Sequence, residues 1–108
     1  MTVYVVNINK DDLGPAQRYG ELKFINMRYV YPDELERTPL GDGIPAEFVQ
    51  NMRAHLAQFN PLTDYLLICG DHLQLVAFAA MLGEAFKQFR VLRWDRQANG
   101  YVPVMILT

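Results

Sequence analysis

The chain has 108 residues, 51% of them apolar and 20% charged, with a formal net charge of −2. That is the size of one ordinary domain, able to bury a core without disulfides or a metal, and its charge is far from the basic balance of a nucleic-acid binder. A lone cysteine excludes an internal disulfide, and the longest wholly apolar stretch, Leu75 to Leu82, falls well short of the roughly 20 residues that cross a bilayer. The opening MTVYVVNINKDD has neither a basic leader region nor a long apolar core with a cleavage site, so the expected compartment is the cytoplasm.

In chain order, Thr2 to Ile8 reads as a strand, because it is rich in β-branched and aromatic residues and is closed by the turn-forming NKDDLGP. Pro15 opens a short helical turn that Gly20 closes. ELKFINMRYVY then places Ile25, Met27, Tyr29 and Tyr31 on one face of a second extended segment. Residues 32 to 45 combine prolines, glycines and charges, the composition of an exposed loop. Pro45 suits the first turn of a helix in which Phe48, Val49, Met52, Leu56 and Phe59 recur at helical spacing. NPLTD breaks that helix, and YLLIC has the continuous apolar character of a strand covered on both faces. Asp71 to Lys87 reads as a second helix. FRVLRWD and YVPVMIL follow as two strands joined by RQANG, with Asn99 and Gly100 supplying hairpin chemistry. The unit from Tyr65 to Trp94 is a right-handed strand, helix, strand crossover, so its strands run parallel and the sheet is mixed. The expected architecture is a single α/β domain over residues 1 to 108, with about five strands, two main helices and a C-terminal β-hairpin.

The stretch with the most chemistry is CGDHLQ, residues 69 to 74. Read as a site, Gly70 turns the chain at the carboxyl end of a buried strand, where open α/β sheets bind ligands, and the helix amino terminus offers N–H groups to a phosphate. Asp71 and His72 are then the acid and base candidates, Cys69 a candidate nucleophile, and Arg93 or Arg96 the source of positive charge. Read as structure, Asp71 is a helix cap, and Gln74 three residues later has capping-box spacing. On that reading Cys69 is a small buried hydrophobe, and His72 is exposed. The structural reading needs fewer assumptions, since an aspartate cap puts negative charge where a phosphate would sit.

Other constellations are thinner. Asn7, Asn9 and Asp11 alternate like the start of a calcium loop, but the sixth position is Asp12 rather than glycine and the twelfth is Arg18 rather than glutamate. Cys69, His55 and His72 have no zinc-ligand spacing, and His55 sits at the border of an apolar stripe, so no metal or cofactor is expected. Phosphate-loop and dinucleotide motifs are absent, and the chain contains no serine. Arg90, Arg93 and Arg96 interleave with Trp94 and Tyr101, but strand alternation splits the cations between two faces, which disfavours nucleic-acid binding.

The second helix is apolar all round, so it needs burial on every side. Either Phe78 and Met81 complete the core beneath the first helix and the loop 32 to 45, or a second copy of the chain covers the helix. Ala79 and Gly83, small and four apart, would then allow close approach and form the interface with Phe78 and Met81. NPLTDYLLICGDHLQL and RVLRWDRQANGYVPV resemble stretches of small proteins encoded by tailed bacteriophages. The resemblance implies expression in a bacterial cytoplasm and, for a nonvirion protein of this size, binding of host or phage components; it supplies no site residues. A clear apolar surplus and a thin catalytic inventory favour a non-enzymatic binding or regulatory protein working through protein contacts. The alternative is a phosphate- or nucleotide-binding protein or small hydrolase built on residues 69 to 74.

Overall fold

In the computed structural model, which describes residues 1–6 and 13–108, the β-branched opening segment forms strand β1 (Thr2–Val5). A 3-10 turn (Gly14–Tyr19) carries Pro15 at its start and Gly20 at its end, and the chain returns as β2 (Glu21–Phe24), parallel to β1. Gly20 has φ 150°, and a β-carbon there would lie 2.6 Å from the Met1 carbonyl oxygen. Only glycine lets these two strands start side by side.

The second strand is shorter than its alternating pattern suggests. Ile25 is still buried and donates its N–H to the Val5 carbonyl at 2.7 Å, but Asn26 takes φ 51° and the chain leaves the sheet. Met27, Tyr29 and Tyr31 are therefore exposed rather than aligned on a strand face. Asparagine tolerates the left-handed region, and its side chain secures the departure by donating to the Phe48 carbonyl and accepting from Asn51. Arg28 lies over the Phe48 ring and pairs with Glu34 and Glu47, holding the excursion against the first helix.

Residues 32 to 45 are largely exposed, as their composition predicts, but they are ordered: a 3-10 turn (Pro32–Glu34) precedes a small antiparallel hairpin of β3 (Glu36–Thr38) and β4 (Gly41–Gly43). Pro45 caps helix α1 (Ala46–Leu56), which buries Phe48 and Met52. Asp64 then closes the approach to β5 (Tyr65–Leu67). Its buried carboxylate accepts from Thr2 N–H at 3.0 Å, Asn60 N–H at 2.8 Å and the Thr63 hydroxyl at 3.1 Å. Every side chain of β5 is buried, as expected for a strand covered on both faces. Helix α2 (His72–Ala85), β6 (Gln88–Asp95) and β7 (Gly100–Leu107) complete the chain.

The main sheet has the order β2-β1-β5-β6-β7, parallel except for β7, which is antiparallel to β6. Asn99 turns the hairpin at φ 49°, in the left-handed region that asparagine tolerates, while Gly100 already belongs to β7. Both helices lie on one face, where Tyr4, Phe48, Met52, Leu66, Phe78, Leu82 and Phe89 form the larger core. Burial, and then the charge of Asp64, pushes the Tyr4 phenol above its ordinary pKa. The other face carries Val3, Val5, Leu67, Leu92 and Tyr101, covered by Leu13 and Ala16 beside the first 3-10 turn. There Arg90 lies over the Tyr65 ring and donates to the Tyr65 hydroxyl and the Leu62 carbonyl, each at 2.9 Å.

Candidate functional site

The order of strands puts a topological switch at the carboxyl ends of β1 and β5, since the chain leaves them toward opposite sides of the sheet. Ligands of open α/β sheets gather at such a point, and residues 69 to 74 occupy it. Gly70 has φ 81°, a conformation that favours glycine, and lets the chain reverse into α2. Asp71 is the N-cap. Its Oδ1 accepts from Leu73 N–H at 2.9 Å, while Oδ2 accepts from Val30 N–H and from the Gln74 amide, both at 3.2 Å.

The reciprocal capping box is not formed. Gln74 is fully buried and donates its amide to Asp71 and to the Arg28 carbonyl at 2.9 Å, instead of accepting from the Asp71 N–H. The excursion of residues 26 to 31 crosses the start of α2 and presents a carbonyl that the sequence pattern alone does not reveal. The cost is that Gln74 Oε1 is buried without a donor. His72 is exposed, and Cys69 packs partly buried beside the smaller core. Both oxygens of the one acid at this turn are thus bonded to protein donors.

Arg93 and Arg96 are exposed, at the same end of the sheet. Ile68 N–H donates to the Leu92 carbonyl at 2.9 Å, so the parallel register sets Arg93 beside Ile68, while Arg96 opens the hairpin turn. Among the described residues neither arginine bonds to Asp71 or His72. Trp94 is half-exposed and meets Tyr101 edge to face, with ring centroids 5.2 Å apart. His55 Nδ1 lies 2.8 Å from the Asn51 carbonyl, and its ring meets Tyr4 edge on. No group of three or more His, Cys, Asp or Glu side chains is placed to hold a metal among the described residues. Asn7, Asn9 and Asp11, the calcium-loop candidates, lie outside those residues.

A second feature, which sequence reading only half anticipates, lies on the helical face. Helix α2 covers β5 and β6 but leaves β7 open, and the gap is an apolar groove of about 270 Å³ lined by Leu66, Ile68, Leu75, Val76, Ala79, Phe89, Val91 and Ile106. Its walls are unusually open for such side chains: Val76 is 66% exposed, Ile68 42% and Ile106 36%. The signal was the apolar character of α2 on every side, which a helix packed on one face of a sheet cannot fully bury.

The family described as Phage Pam3 gp32-like protein matches residues 1–108 of the chain. The chain belongs to that family. It is accordingly a small phage-encoded protein. No curated protein and no solved structure matches it. No helix among the described residues is long and apolar enough to cross a membrane.

In this phage protein the four helix residues considered for self-association fall into two pairs, one turned to the core and one toward the β7 side. Phe78 is fully buried in the larger core, and Met81 packs against the same core. Ala79 lines the groove. Gly83 faces the end of the chain, where a β-carbon would sit 3.3 Å from the Thr108 methyl group.

Proposed function

We propose that this phage-encoded protein is a non-enzymatic binding or regulatory protein, which takes an apolar segment of a host or phage protein into the groove between α2 and the C-terminal hairpin. One observation carries this reading: a lining made wholly of apolar side chains, with walls that stand in solvent. A charged occupant would lose its hydration there and gain no partner, so the chemistry selects a neutral, apolar one. The apolar face of an amphipathic helix suits a groove of this kind. The turn 69 to 74 offers less, because its acid already serves three protein donors.

The test is a selection of displayed random peptides on the folded protein, counter-selected on Val76→Glu. The expected result is a set of peptides with apolar residues at helical spacing that bind the wild type and not the variant. A thermal-shift screen with nucleotides and inorganic phosphate runs beside it. A ligand at about a hundred times its dissociation constant stabilises by roughly 2.7 kcal/mol. Such a shift, lost in Asp71→Ala and accompanied by no groove-dependent peptide, would replace this reading with a phosphate site.

A further inference from the structure

We infer that the outer edge of β7 pairs antiparallel with the same edge of a second copy of this chain, joining two main sheets into one. The inference rests on backbone geometry and charge, independently of the groove. Among the described residues no strand pairs with that edge. Thr108 N–H donates to the Lys87 carbonyl at 2.8 Å, which makes the even-numbered positions of β7 those whose backbone groups face β6. Two neighbours agree. Tyr101 turns its carbonyl outward to the Tyr19 hydroxyl at 2.9 Å, and Pro103, which has no N–H to give, falls in an outward position. By the same alternation Met105 and Leu107 aim their N–H and C=O groups away from β6.

The two edges of the sheet are built differently. β2 has 4 residues and carries Glu21 and Lys23, the short and charged form that keeps edges from pairing. β7 has 8 residues, and no charged side chain occurs from Gly100 to Thr108. Met105 is 46% and Leu107 75% exposed. A twofold axis sets a strand against its own copy, so a charged edge repels itself and a neutral one does not. This is the argument for a second copy over a foreign strand. Registers centred on Met105 or Ile106 use the outward N–H groups of Met105 and Leu107 in each strand and cover the exposed side chains of these two residues. In an antiparallel pairing of this kind both helical layers lie on the same side of the joined sheet, so the two grooves open on one face.

The test combines sedimentation velocity with amide hydrogen exchange on the full chain, comparing wild type, Met105→Pro, Met105→Lys and Val76→Glu. Met105→Pro removes an N–H that the monomer does not use, and Met105→Lys adds charge at a half-exposed position. Expected results are a wild-type dimer, self-association weakened at least tenfold in both Met105 variants, and Met105 and Leu107 amides whose protection rises with protein concentration. Val76→Glu stays dimeric, which separates failure at this edge from failure at the groove. A wild type that remains monomeric at high concentration overturns the inference. So does a dimer that persists unchanged in both Met105 variants, or one in which these amides exchange freely.

Discussion

The turn 69 to 74 and the β7 side of the sheet differ in what each has left to bond with. At the turn, Asp71 satisfies Leu73, Val30 and Gln74, and Gly70 supplies the backbone conformation that joins strand to helix. Along the outer edge of β7 no strand pairs among the described residues, and there and on the flank of α2 Ile68, Val76, Ile106, Met105 and Leu107 stand in solvent. Asp71 and Gln74, which look like chemistry in the sequence, are occupied in folding. Residues that look like ordinary core are the ones left available. A polar cluster is therefore informative about function only once its partners have been traced.

Several substitutions break or sharpen that contrast. Asp71→Ala has the largest expected effect, since it removes a cap worth about 1 kcal/mol and strips partners from Val30 and the buried Gln74; a total of about 2–3 kcal/mol follows, measured by chemical denaturation. Peptide binding at the groove stays intact where the variant is folded. Gly70→Ala forces a β-carbon into the left-handed region and costs about 1–2 kcal/mol by the same measurement. Val76→Glu sits on the open wall of the groove and changes stability by no more than about 0.5 kcal/mol, while groove binding is lost. The smallest effect belongs to Tyr4. A phenol whose pKa is raised in the folded state contributes stability below its unfolded value of about 10 and loses it as pH climbs through the folded value. Tyr4→Phe should flatten the alkaline fall in stability relative to wild type, seen in thermal midpoints taken from neutral to strongly alkaline pH.

Much of the fold was legible because its local signals agree. Pro15 with Gly20, Pro45, the YLLIC run, Asp71 and Asn99 each mark the boundary or turn their chemistry predicts. The alternation from Ile25 to Tyr31 misled, because a period of two in apolar residues also occurs in a segment held by side-chain bonds from Asn26 and Arg28. The small hairpin of β3 and β4 carries no apolar face, so nothing in its composition separates it from loop. The cap at Asp71 was legible, whereas the Arg28 carbonyl that draws Gln74 away is a contact across 46 positions of chain. The surplus on α2 was visible too. Which of its residues remain outside depends on β7 lying at an edge, and Pro103 within an otherwise strand-like run was the available clue.

The most direct measurement is the dissociation constant of one groove-selected peptide for wild type, Val76→Glu and Asp71→Ala, taken at a temperature where all are folded. The prediction is a loss of at least about tenfold in Val76→Glu, equivalent to 1.4 kcal/mol or more, with Asp71→Ala close to wild type despite its lower thermal midpoint. Binding that survives Val76→Glu and disappears in folded Asp71→Ala would contradict it, and would return function to the turn.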